Sequence, residues 1–116
     1  MIKISKELLS EVLKKEITFV KMYDEDRVEV MWEQDIDGYI GRLINIYELA
    51  HKNLKEWALS KDYKLVSLSK ECFLYDTQEL YDVSEQLNQW SEWFEADSEV
   101  EAVIKATEWV YKELKK

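Results

Sequence analysis

The chain offers few residues that could do chemistry. It has one histidine, His51, and one cysteine, Cys72. A general base needs a nucleophile or an orienting acid within reach, and nothing in the local sequence joins these two. Only the thiolate of a cysteine attacks, and Glu71 beside Cys72 works against its ionisation. Simple burial accounts for a lone cysteine equally well. Ser10, Ser60, Ser67, Ser69, Ser84 and Ser91 all lack the G-x-S-x-G turn that presents a nucleophilic serine. With two glycines in the whole chain, Gly38 and Gly41, there is no glycine-rich cradle for phosphate and no dinucleotide fingerprint.

Carboxylates are plentiful. Asp35 and Asp37 share a side if their segment is extended, and paired carboxylates do acid–base work when burial drives their pKa values apart. The adjoining Asp37-Gly38 turn argues for exposure instead. Glu33-x-Asp35-x-Asp37-Gly38 also imitates the start of a calcium loop. Its first ligand would be Glu, and the twelfth position, where a bidentate acid is needed, is Ile44. No metal and no cofactor is expected. A small enzymatic or ligand-binding domain, with His51, Cys72, Asp35 and Asp37 around a pocket, stands as an alternative reading without a spacing to support it.

Charge carries the leading reading. The net charge is −9, which repels nucleic acid and anionic lipid and favours a basic partner. From Glu71 to Glu101 there are ten acidic residues and no Lys or Arg. Asp82, Glu85, Glu92 and Glu95, with Trp93 at the edge of the adjoining apolar stripe, form the candidate contact face. Such a face steers a basic protein into contact, and tryptophan is a frequent anchor at interfaces. Solvation alone is the plainer account of the same charges. The expected function is therefore a small acidic binding protein of the inhibitor, immunity, antitoxin or phage-accessory kind, without catalysis. A homo-oligomeric structural protein is a further alternative, since a broad apolar helix face invites a homodimer.

The elements that must position these residues are legible in part. Ser5 caps a helix over about 6–15. Ile17–Tyr23 and Arg27–Gln34 read as strands, the second alternating Val28, Val30 and Trp32 against Glu29 and Glu33. Asp37-Gly38 turns the chain into a third strand over 39–43, completing a meander. The organising helix covers about 42–61, with Leu43, Tyr47, Ala50, Leu54, Trp57 and Ala58 on one side. Asn45 followed by Glu48 has cap spacing, so the helix starts either at Ile46 or near Arg42. Segments 63–69 and 71–75 are further strands about a Ser69-Lys70 turn. Leu80, Val83, Leu87, Trp90 and Phe94 step by three and four and predict a helix from Asp76 to Phe94. Ser98 and Glu101 box the start of a last helix. Residues 1–116 thus read as one α+β domain. An antiparallel sheet, a three-strand meander with one or two further strands, is packed by about four helices, and the chain ends in a helical hairpin. A single cysteine, no apolar run long enough to span a bilayer and no secretory leader suggest a cytoplasmic protein. The preference for lysine over arginine suits a bacterial or phage gene.

Overall fold

Ser5 starts the first helix, α1 (Lys6–Leu13), by accepting a hydrogen bond from the Leu8 N–H at 3.1 Å. The same hydroxyl donates to Glu108 Oε1 at 2.8 Å, so the cap also ties the N-terminal segment to the last helix. Leu8 and Leu9 are buried beneath α1, and the helix ends at Lys14 in the left-handed conformation. The computed structural model describes residues 2–35, 38–77 and 90–116.

Strands β1 (Ile17–Met22), β2 (Arg27–Asp35) and β3 (Gly38–Asn45) form the expected meander, antiparallel and in that order. Val28, Val30 and Ile44 turn inward and are buried. On the other side Phe19, Met31 and Gly41 stand in register, as do Lys21, Glu29 and Leu43. This is the period-2 separation that the sequence of β2 shows.

Asn45 ends β3 and caps the central helix at once. Its Oδ1 accepts from the N–H groups of Tyr47 and Glu48 at 2.9 and 3.1 Å. The central helix, α2 (46–60), therefore starts at Ile46. It opens with a helical turn (Ile46–Glu48), passes through a π-helical segment (Leu49–Leu54) and finishes as α-helix (Lys55–Ser60). The wider π-turn carries an extra residue while Leu49, Ala50, Leu54, Trp57 and Ala58 all stay buried. Leu43 is not part of this stripe; it lies on the outward side of β3. Tyr47, expected on the stripe, is exposed.

A second sheet follows: β4 (Tyr63–Leu68), β5 (Glu71–Asp76) and β6 (Glu92–Glu95), antiparallel in that order. The β4–β5 turn is at Ser69-Lys70 as expected, and Ser69 takes a positive φ of 56° there. The six strands among the described residues thus form two three-stranded sheets rather than one sheet of a meander with one or two further strands. β6 also corrects the expected helix over 76–94. Asp76 is still strand, and Glu92–Glu95 pairs with β5. The Leu80, Val83 and Leu87 stripe lies outside the described residues. At its end the aromatic pair Trp93 and Phe94 suits a strand as well as a helix, and the free side of β5 supplies the hydrogen bonds that decide it.

The last helix, α3 (Glu99–Leu114), begins at Ser98, whose hydroxyl accepts from the Glu101 N–H. Because β6 precedes it, the chain ends in one helix and not in a helical hairpin. Three helices, not about four, are present among the described residues. α3 packs against α2 and all three strands of the second sheet, while α1 lies on β1 and the π segment. The buried residues form one cluster fed by both sheets and all three helices. The molecule is elongated, 55 × 27 × 21 Å, with a Cα radius of gyration of 15.3 Å against about 13 Å for a rounder domain of this length.

Candidate functional site

Three side chains of the candidate contact face lie among the described residues, and β6 rearranges them. In a strand, successive side chains take opposite sides. Glu92 falls on the side of Phe94, which packs on the core, and stands in register with Leu74. Trp93 and Glu95 take the other side, away from the core. The helical geometry that grouped Glu92 with Asp82 and Glu85 therefore does not hold for Glu92. Asp82 and Glu85 lie outside the described residues.

What Trp93 joins is an apolar surface made by the outward side of the whole second sheet. Val66, Phe73 and Trp93 stand side by side across β4, β5 and β6. Trp90 lies with its ring centroid 4.9 Å from that of Phe73. The surface is open: Leu68 is 70% exposed, Trp90 51% and Trp93 47%. Scattered exposed apolar residues are ordinary, but a contiguous group with two tryptophans is the usual signature of an interaction site. In the next row, Leu68, Glu71 and Glu95 stand in register. Like charges directly opposite one another across two strands destabilise a sheet. Neither carboxylate has an ion-pair or hydrogen-bond partner among the described residues; Lys105 Nζ is bound to the Glu95 carbonyl at 2.8 Å.

The alternative site residues are partly brought together. Lys55 Nζ donates to Ser67 Oγ at 2.7 Å, and Ser67 Oγ donates to Glu99 Oε1 at 2.7 Å. His51 Nε2 lies 3.9 Å from the same Glu99 oxygen. His51 and Lys55 come from α2, Ser67 from the inward side of β4, and Glu99 from the first turn of α3. Cys72 is paired with Ser67 across β4 and β5. A hydroxyl between an ammonium and a carboxylate resembles an activated nucleophile. Here the hydroxyl accepts from Lys55 and donates to Glu99, and the chain of bonds fastens three elements together. Cys72 is fully buried. Burial pushes its thiol up to about 12, with Glu99 adding to the rise and Lys55 opposing it. A thiol so held is protonated near neutrality and is no nucleophile. Glu71, expected to act on Cys72, points to the opposite side of β5.

Asp35 is at the far end of β2, where its backbone pairs with Gly38; Asp37 lies outside the described residues. No three His, Cys, Asp or Glu side chains among them gather closely enough to hold a metal ion. Three shallow surface grooves of about 400 to 450 Å³ open beside Trp109, Tyr111 and Met22, and none of these three is lined by His51, Lys55, Ser67 or Cys72. No described helix is long and apolar enough to cross a membrane.

Lys55, Ser67 and Glu99 have no spacing signature, because only the packing of α2, β4 and α3 unites them. The Val66–Phe73–Trp93 row was more accessible to sequence. Alternation along 63–68 and 71–76 already separates Leu65, Cys72 and Leu74 from Val66 and Phe73. What sequence lacked was the strand at 92–95 that sets Trp93 beside them. Compared with known proteins, the chain matches no family model, no curated protein and no solved structure.

Proposed function

We propose that this is a small acidic binding protein of the cytoplasm whose second sheet presents its outward side to a basic protein surface. The observation that carries the reading is the outward row of exposed Val66, partly buried Phe73 and exposed Trp93, widened by the exposed Leu68 and Trp90. Water is displaced from such a surface with a gain of about 25 cal/mol per Å² of apolar area. Tryptophans at the centre of a contact supply much of the binding energy, while surrounding polar groups exclude water. Glu71 and Glu95, set opposite each other with no ion-pair partner among the described residues, add the charge preference. A lysine or arginine from a partner relieves their mutual repulsion. The −9 net charge steers a cationic partner towards the molecule before contact is made.

Association should consequently be fast and fall steeply with ionic strength, while residence time depends on the tryptophans. The test is capture of binding partners from extract at low and high salt by the wild-type chain and by Trp93→Ala. Basic proteins held at low salt, released at high salt and lost with Trp93→Ala support the reading. Capture indifferent to both salt and the substitution sinks it.

A further inference from the structure

The open edge of the first sheet presents a second surface. β3 runs eight residues, and none of its backbone groups bonds to a described element other than β2. The remaining edge strands are shorter, and one is interrupted. β1 is interrupted by a register shift between Ile17 and Phe19, and the Ile17 N–H is taken by Ser10 Oγ at 3.0 Å. β6 has only four residues, and β4 has six, two fewer than β3. Natural sheets blunt long edges with charges, proline or bulges. β3 carries one charge, Arg42, and no proline.

Gly41, in the middle of this edge, has no explanation within the chain. Its φ is not positive, and a Cβ built there would meet Met31 Cγ at 3.5 Å, an ordinary contact. A glycine inside a strand weakens it and often marks a close approach by another molecule. Its missing side chain leaves a notch on the outward side, beside Met31 and next to Leu43, 40% exposed, two residues along the strand; Phe19, 42% exposed, continues the row beyond Met31. A large side chain on an adjoining strand covers such a glycine and restores its packing.

We propose that β3 accepts an extended segment of another protein as a fourth strand, with a large apolar residue opposite Gly41 and basic residues at both ends. Charge chooses the occupant. From Gly38 to Tyr47 the chain has no acidic residue, but Glu33 and Asp35 stand at the far end of the hairpin and Glu25, Asp26 and Glu48 at its base. A segment with an apolar middle and cationic ends matches this pattern. A second copy does not. Antiparallel pairing of two β3 strands sets the acidic far end of each beside the acidic base of the other. Main-chain bonds along the edge supply affinity in strand addition, and side-chain pockets supply the choice of sequence.

The test uses a short peptide of alternating valine and threonine with one central phenylalanine and two lysines at each end, followed by amide NMR and hydrogen exchange. The expected result is shift changes and slowed exchange confined to residues 38–45. Replacing the phenylalanine by alanine, or the lysines by glutamates, weakens binding at least several-fold; a central proline abolishes it. Gly41→Thr, whose Cβ meets nothing closer than Met31 Cγ at 3.5 Å, keeps the fold and removes most of the phenylalanine peptide's advantage over the alanine peptide. Trp93→Ala leaves binding unchanged, which separates this edge from the tryptophan surface. The proposal is overturned if no peptide binds, if glutamate ends serve as well as lysine, or if Gly41→Thr leaves the phenylalanine preference intact. Perturbation centred on Trp93, or a wild-type dimer joined through β3, overturns it equally.

Discussion

Cys72 gives the sharpest test of whether this chain carries a reactive centre. Its thiol is buried and pushed from 9.0 up to about 12. At pH 8 a thiol at 9.0 is about one-tenth ionised, and one near 12 about a ten-thousandth, a thousandfold deficit in thiolate. A more basic thiolate is intrinsically more nucleophilic, which returns roughly twentyfold over that interval. The net handicap is about fiftyfold before access is considered, and complete burial adds the further requirement of local opening. An aromatic disulfide reagent at pH 8 should therefore label the native protein at least about fiftyfold more slowly than the protein in strong denaturant. Rates within a few-fold of each other would refute the reasoning and revive a nucleophilic role. The same shift has a stability consequence. The folded pKa lies above the unfolded one, so the contribution is complete below pH 9 and is lost as pH rises towards 12. Relative to Cys72→Ala, the wild type should lose about 2 kcal/mol between pH 8 and 10.5 in denaturant titrations. A difference that stays constant over that range would show that the thiol ionises as freely in the fold as outside it.

Two further substitutions test how the fold is fastened. Ser67→Ala removes both hydrogen bonds of the Lys55–Ser67–Glu99 bridge; since Glu99 retains partial solvent access, the expected loss is about 1–2 kcal/mol, read as a drop in thermal midpoint of several degrees. Ser5→Ala loses the α1 cap together with the bond to Glu108, and should destabilise by about 1–2 kcal/mol, more than a cap without the second bond. Equal stability of either variant with the wild type would show that water replaces these bonds without loss. Trp93→Ala, by contrast, should leave the thermal midpoint within about a degree or two, because the side chain is half exposed.

Local signals served the reading of this chain well where they coincide with backbone chemistry. Ser5, Asn45 and Ser98 each accept the cap bonds that their positions announce. Alternation in 27–34 separates the buried Val28 and Val30 from the outward Glu29, as it must in a strand with one covered side. Steps of three and four misled at Asp76 and at Glu92–Glu95; Leu80, Val83 and Leu87 lie outside the described residues. The same aromatic residues meet a strand's needs, and at 92–95 pairing with β5 outweighed the helical period. The error moved Glu92 off the proposed contact face and left Trp93 and Glu95 on it. The Leu43–Tyr47 step failed for a related reason: Asn45 starts a helix only by ending a strand.

The sequence by itself determined the α+β class, the meander, the caps and the acidic balance, because each depends on neighbouring residues or on sums over the chain. The tertiary structure decided what stands together at a distance. It set Val66, Phe73 and Trp93 in one outward row, gathered Lys55, Ser67 and Glu99 about one hydroxyl, buried Cys72, and left β3 with no described strand on its outer edge. These facts follow from strand order and helix packing, which arise from interactions between residues far apart in the chain. A binding surface is made of such juxtapositions, and no local pattern encodes them.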